Sequence, residues 1–193
     1  LAFRNFSREY GDNIEAFFAK GFNPLCDGLA LEGIKLIKES LEEATHRPSL
    51  EAQSKMMMAA LIGATAFQKG LGVVHSTAHP LSTVFDLHHG LANAIMLKYG
   101  LGFNLDSCKE KFEFLSKHIQ LEDSSSGGFI SFISELNQKL GLPHSLSSQG
   151  IKENDIEKLA ALAHKDVCHQ SNPKTVTEFD FRIIYKNALH GEK

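Results

Sequence analysis

The ten histidines of this chain are unevenly distributed: four of them fall within fifteen consecutive positions, at His75, His79, His88 and His89. His75 and His79 are one helical turn apart, so both rings would project from the same face of a helix. Neutral imidazole binds divalent metals and carries protons near neutral pH. We interpret the cluster as a candidate metal and acid-base site. The alternative is a set of ordinary buried or surface histidines.

A shared metal ion would require His75 and His89 to converge, although they are fourteen positions apart. One continuous helix would separate them by ~21 Å, whereas two imidazoles on one ion bring their nitrogens within ~4 Å of each other. Pro80 is the predicted break, because proline disfavours helix at the preceding residue and cannot donate a backbone hydrogen bond. We expect a helix ending near His79, a short reversal, and a second helix starting near His89-Gly90.

Helical spacing of apolar residues dominates the elements that must position these histidines. Apolar residues recur at i, i+3 and i+4 between Leu29 and Leu41, and a second helical stretch runs from Leu50 to Lys69 and closes at Gly70. Further helical patterns cover 91–101, 109–118, 129–140, 154–164 and 177–189. We predict an all-α fold, a multi-helix bundle with short connections that forms a single helical domain over residues 1–193.

Composition excludes several classes of partner. A formal charge of -3 and the lack of a dense Lys/Arg cluster argue against nucleic acid. No apolar run approaches the ~20 residues of a membrane-spanning helix, and the first residues lack the layout of a signal peptide, so we expect no membrane and a cytoplasmic location. The three cysteines, Cys26, Cys108 and Cys168, are widely spaced and odd in number, which favours free thiols in a reducing compartment.

A longer pattern surrounds the histidines. It runs as Gly70-Leu71-Gly72-x-x-His75-x-x-Ala78-His79-Pro80-Leu81 and continues as Asp86-Leu87-x-His89-Gly90-x-Ala92-Asn93-Ala94-Ile95. This pattern resembles the signature of the iron-containing alcohol dehydrogenase family, and further similarity extends from about Asn13 to Leu189. The resemblance implies the helical C-terminal domain of that family.

The resemblance also implies roles for individual residues. In the family a divalent ion, iron or zinc, is held in the helical domain by one Asp and three His, and His75 and His89 match two of these ligands. His79 matches a histidine beside the nicotinamide ring, with an implied role in proton relay or substrate orientation. Cys168 matches a position near the active site, which implies contact with the cofactor, with packing as the alternative. His88 stands where the family commonly has Pro and receives no role.

The other two ligands are expected from an upstream Asp-x-x-x-His-x-x-Glu pattern. Residues 14–17 fit its end, which places Asp12 at the His position and Arg8 at the Asp position. Asp12 can bind a metal through its carboxylate, and Glu9 could share its face of the helix. Arg8 cannot bind the ion, because its guanidinium repels a cation. We therefore predict that Asp12 joins the two histidines in an altered, weak metal site. The alternative for these upstream charges is a solvated helix start.

The family's first domain binds the dinucleotide through a glycine-rich turn that follows a strand. Gly70-Leu71-Gly72 does not fit that turn, since position 75 is His and a predicted helix comes before it. We predict that the NAD(P)-binding domain is absent from this chain, and that the chain alone transfers no hydride. The resemblance implies a small-molecule alcohol or aldehyde as substrate, and it allows a homo-oligomer.

Two other functions stay open at this point. A non-catalytic helical module or an inactive truncated homologue would retain the scaffold and a degenerate metal site. An all-α metal phosphohydrolase would need an adjacent His-Asp pair in a helix. His164-Lys165-Asp166 is interrupted, and His88-His89 lacks the Asp.

Overall fold

The fold is known from a computed structural model, which describes the backbone of residues 2–191 and the side chains of residues 10–191. Within these limits the chain forms α-helices, short 3-10 turns and no strand, which confirms the predicted all-α fold. The helices are α1 (Ala2–Phe18), α2 (Pro24–His46), α3 (Leu50–Ala66), α4 (Val73–Phe85), α5 (His89–Asn104), α6 (Lys109–His118), α7 (Ser126–Lys139), α8 (Ile156–Lys165) and α9 (Glu178–His190).

Capping residues set where several helices begin. The side chain of Asn23 accepts the backbone N–H of Cys26 at the start of α2, and Ser49 does the same for the first turn of α3. Thr177 and Asp180 form a capping box at the start of α9. These short polar side chains satisfy N–H groups that a helix leaves unpaired in its first turn.

Helix α1 packs against α2, α3 and α5. Its Asn13 is fully buried and donates to the backbone oxygen of Ala59 on α3, at 3.1 Å. Gly33 on α2 and Gly63 on α3 leave the space for this side chain. A Cβ atom at Gly33 would lie 2.0 Å from Oδ1 of Asn13. The absence of side chains at these two positions therefore lets three helices approach closely.

Helix α4 continues through Pro80, so the predicted chain break at that residue is wrong. The chain reverses instead at Asp86, whose φ of 53° is left-handed, and α5 begins at His89. Pro80 and Leu81 are both buried. The burial of these apolar side chains offsets the one backbone hydrogen bond that proline cannot donate. The reversal comes later in the chain than predicted, and it still returns His89 toward the start of α4.

The helix expected over Leu50 to Lys69 is shorter than predicted. Helix α3 ends at Ala66 and is followed by the 3-10 turn Phe67–Lys69, after which Gly70 has a φ of 129°. That backbone conformation favours glycine, as the predicted helix end requires. Within the described chain no single helix is both long and apolar enough to cross a membrane. The segments Leu50–Lys69 and Val73–Phe85 reach that length and hydropathy only when counted together, and they are bent by 110° relative to each other.

Candidate metal and proton-transfer site

His75, in the first turn of α4, is fixed by a carboxylate from α1. Its Nδ1 atom lies 2.6 Å from Oε2 of Glu15, and the backbone N–H groups of Val74 and His75 donate to the same carboxylate at 2.7 and 3.1 Å. Glu15 therefore caps α4 and sets the orientation of the ring. Gly72 permits this approach, because a Cβ atom there would lie 2.6 Å from Oε1 of Glu15.

The other ring nitrogen of His75 faces Asp12. Nε2 lies 2.9 Å from Oδ1 of Asp12, which is only 6% exposed, so the alternative of a solvated helix start is wrong for this residue. Arg8 and Glu9 lie outside the described side chains. Burial lowers the pKa of His75, but hydrogen bonds with Asp12 and Glu15 raise it more, from 6.5 to about 9. The metal-free ring therefore holds a proton at neutral pH.

Asn93 lies between His75 and His89, the first residue of α5. The amide Nδ2 of Asn93 is 3.0 Å from Nε2 of His89 and 3.4 Å from Nε2 of His75. The centroids of the two imidazole rings are 5.6 Å apart. The reversal at Asp86 thus brings together two histidines that a single helix would hold far apart.

His79 lies one turn after His75 and pairs with Asp166, which follows α8. Nδ1 of His79 is 2.8 Å from Oδ2 of Asp166. The other carboxylate oxygen, Oδ1, accepts the Ser76 hydroxyl at 2.8 Å and the backbone N–H of Cys168 at 2.9 Å. Burial raises the pKa of Asp166, but these hydrogen bonds hold it well below its usual range. An ionised Asp166 therefore accepts the Nδ1–H of His79 and leaves Nε2 for proton exchange.

Cys168 lies beside this pair and is half-buried. Burial, and then the charge of Asp166, raise the pKa of its thiol, which is neutral at physiological pH. Among the described residues, His79, Asp166 and Cys168 are the one set of three metal-binding side chains whose ligand atoms lie within 4.8 Å of one another. Asp12, His75 and His89 are close without meeting that spacing. Contact of Cys168 with a cofactor stays a prediction.

Sequence reasoning gave no role to three residues that organise the site: Glu15, Asn93 and Asp166. Glu15 stands at the Glu of the expected upstream pattern, and Asn93 lies one turn after His89, so both carried a local signal. Asp166 did not, because it is 87 positions from His79 and reaches it only through the packing of α4 against α8.

Histidines and carboxylates of this all-α domain thus meet where α1, α4 and α5 pack together. Residues 13–189 match the family described as Fe-containing alcohol dehydrogenase family, C-terminal. Since this match covers nearly the whole sequence, the chain belongs to the iron-containing alcohol dehydrogenase family.

Two curated relatives illustrate the similarity. The chain is 36% identical over 184 residues to the NAD-dependent methanol dehydrogenase of Bacillus methanolicus, a match to 91% of this chain and 48% of that protein. It is 35% identical over 186 residues to the 4-hydroxybutyrate dehydrogenase of Cupriavidus necator, a match that covers 91% of this chain and 48% of that protein. The chain therefore spans about half the length of these relatives.

Solved structures agree with the sequence matches. A 1,3-propanediol oxidoreductase superposes with a TM-score of 0.92 at 30% identity, over 96% of this chain and 51% of that one. An alcohol dehydrogenase from Oenococcus oeni gives a TM-score of 0.92 at 30% identity, over 97% and 51%. The bundle described above is thus the helical fold found in half of each of these proteins.

Proposed function

We propose that this chain is the helical, metal-binding half of an NAD(P)-dependent oxidoreductase that acts on small alcohols or aldehydes. The observation that carries the proposal is the convergence of three imidazole rings. The ring centroids of His75, His79 and His89 are 5.2 to 5.9 Å apart, although the residues come from two helices. Such a group supplies both metal ligands and a proton carrier.

Asp12, His75 and His89 are the residues that would hold the ion, iron or zinc. Two imidazoles and one carboxylate suit these metals. Nε2 of His75 lies 2.9 Å from Oδ1 of Asp12, a hydrogen-bond distance that would open only slightly to the ~3.4 Å between neighbouring ligands of a tetrahedral ion with bonds of ~2.1 Å. Glu15, on the other ring nitrogen, provides the second carboxylate that commonly orients a metal-bound histidine.

Two features support weak binding of this ion. Arg8 occupies the position where the family has its Asp ligand, so one of four ligands is lacking. The proton held by His75 must also leave before Nε2 can bind a metal, which makes the affinity dependent on pH.

The ion would supply a Lewis acid that polarises the substrate oxygen while hydride moves to or from the nicotinamide. The residues of this chain would then transfer the proton of that oxygen. His79 exchanges that proton through Nε2, because its Nδ1–H is committed to Asp166. In the metal-free chain the amide N–H of Asn93 donates to Nε2 of His89 at 3.0 Å, and this hydrogen bond would give way when that nitrogen binds the ion.

The remaining parts of the proposal concern the complete protein. The NAD(P) requirement is supported by relatives named as an NAD-dependent methanol dehydrogenase and an NADPH-dependent butanol dehydrogenase. We place the dinucleotide on a domain outside the sequence described here, and we retain a homo-oligomer and a cytoplasmic location as expectations of the same proposal.

Metal analysis of the purified chain tests the site. We expect substoichiometric iron or zinc, which falls further in His89→Ala and is unchanged in His88→Ala, an exposed neighbour with no assigned role. Tight binding that His89→Ala leaves unaffected would rule out the proposed ligands. If the unaltered chain contains no metal at all, the non-catalytic helical module is favoured instead.

A further inference from the structure

We propose that His79, Asp166 and Cys168 form a second metal site, one that selects a thiophilic divalent ion such as Zn²⁺. Their ligand atoms, a ring nitrogen, a carboxylate oxygen and a sulfur, all lie within 4.8 Å of one another. The site is separate from the group of Asp12, His75 and His89, which offers no sulfur.

The donor set fits zinc. Zn²⁺ accepts Cys sulfur, His nitrogen and Asp oxygen, and sites with three protein ligands keep one position open. In a tetrahedral site with bonds of 2.0 to 2.3 Å, neighbouring ligand atoms are separated by ~3.5 Å. Small side-chain movements therefore suffice to bring these three atoms around one ion.

The ligands stand on elements that already hold them. His79 lies inside α4, and Asp166 and Cys168 directly follow α8, which packs against α4. The Ser76 hydroxyl donates to Asp166 and accepts the backbone N–H of His169, at 2.8 and 2.9 Å. These outer hydrogen bonds fix the carboxylate as the supporting groups around metal sites commonly do.

Binding of the ion would release the thiol proton of Cys168 to solvent, since the thiolate is the ligand. It would also take His79 away from proton exchange. If the proposed function holds, zinc at this site inhibits the complete enzyme. The binding itself does not depend on that function.

Co²⁺ titration of the purified chain tests the site, because a cobalt-thiolate bond gives a charge-transfer absorption that oxygen and nitrogen ligands do not give. We expect this absorption in the unaltered chain and its loss in Cys168→Ser. The matched control is Cys108→Ser at the N-cap of α6, a position that suits serine. His89→Ala should also retain the absorption, and Asp166→Asn should weaken Co²⁺ binding by at least ~10-fold.

An absorption that survives Cys168→Ser, or no cobalt-thiolate absorption in the unaltered chain, would overturn the inference. Cobalt bound without sulfur and lost in His89→Ala would do so while supporting the proposed function. Thiol alkylation tests the site without any variant: Zn²⁺ should slow alkylation of Cys168 at least tenfold and leave the buried Cys26 and Cys108 unaffected. Equal alkylation of Cys168 with and without Zn²⁺ would contradict the site.

Discussion

Oε2 of Glu15 lies 2.6 Å from Nδ1 of His75, and the same carboxylate accepts the backbone N–H groups of Val74 and His75. One buried side chain thus caps α4 and orients a histidine of the candidate metal site. The stability of the bundle and the geometry of the site are therefore coupled at this residue.

We expect Glu15→Gln to destabilise the fold by about 2 to 3 kcal/mol, because buried hydrogen bonds to a charged group are among the stronger ones in proteins. The amide keeps one acceptor oxygen, whereas the carboxylate serves three donors. Urea unfolding measures the change. Glu51→Gln, at an exposed side chain in the first turn of α3, is the control and should shift stability by less than about 0.5 kcal/mol. Equal midpoints for the two variants would contradict the capping role.

The pKa of His75 predicts a pH dependence of stability in the metal-free chain. The folded value of about 9 exceeds the ordinary 6.5, so the stabilisation is fully present below pH 6.5 and is lost as the pH rises through 9. The rise in pKa corresponds to about 3 kcal/mol. Urea unfolding in the presence of EDTA at pH 6 and pH 9.5 should show this loss. His75→Gln should flatten it, and His46→Gln on the exposed surface should not. Stability that increases over this range would refute the assignment.

Packing around Asn13 gives a test within one helix. Gly33→Ala places a Cβ atom 2.0 Å from Oδ1 of Asn13, whereas a Cβ atom at Gly28 meets nothing within 4 Å. We expect Gly33→Ala to destabilise the fold by about 1 to 3 kcal/mol through overpacking. Gly28→Ala on the same helix should be stabilising by up to about 1 kcal/mol, because alanine favours helix. Thermal unfolding of both variants measures the difference, and similar melting temperatures would show that α1 is not wedged as described.

The sequence predicted the helices better than the contacts between them. Apolar periodicity located most helices, because each buries one face and that face repeats along the chain. The break at Pro80 was wrong, since local propensity carries no information on how deeply that residue is buried. Asp12 was open to interpretation as a solvated charge for the same reason. The contact of Asp166 with His79 could not be predicted, because it arises from the packing of two helices distant in sequence.

Asp166 should determine which nitrogen of His79 carries the proton. In Asp166→Asn, the amide oxygen would stay with the Ser76 hydroxyl and the Cys168 N–H, and the amide NH₂ would then face Nδ1. We expect the neutral ring to change from the Nδ1–H to the Nε2–H tautomer, which long-range ¹H–¹⁵N spectra of the chain distinguish.

The complete enzyme should then lose roughly 10²-fold or more in kcat with a smaller change in KM, because the proton-exchanging nitrogen is blocked. Asp106→Asn, an exposed acidic residue away from this pair, is the control for both measurements. If His79 keeps its proton on Nδ1 in Asp166→Asn, Asp166 does not position the ring, and the tautomer must be set by another neighbour.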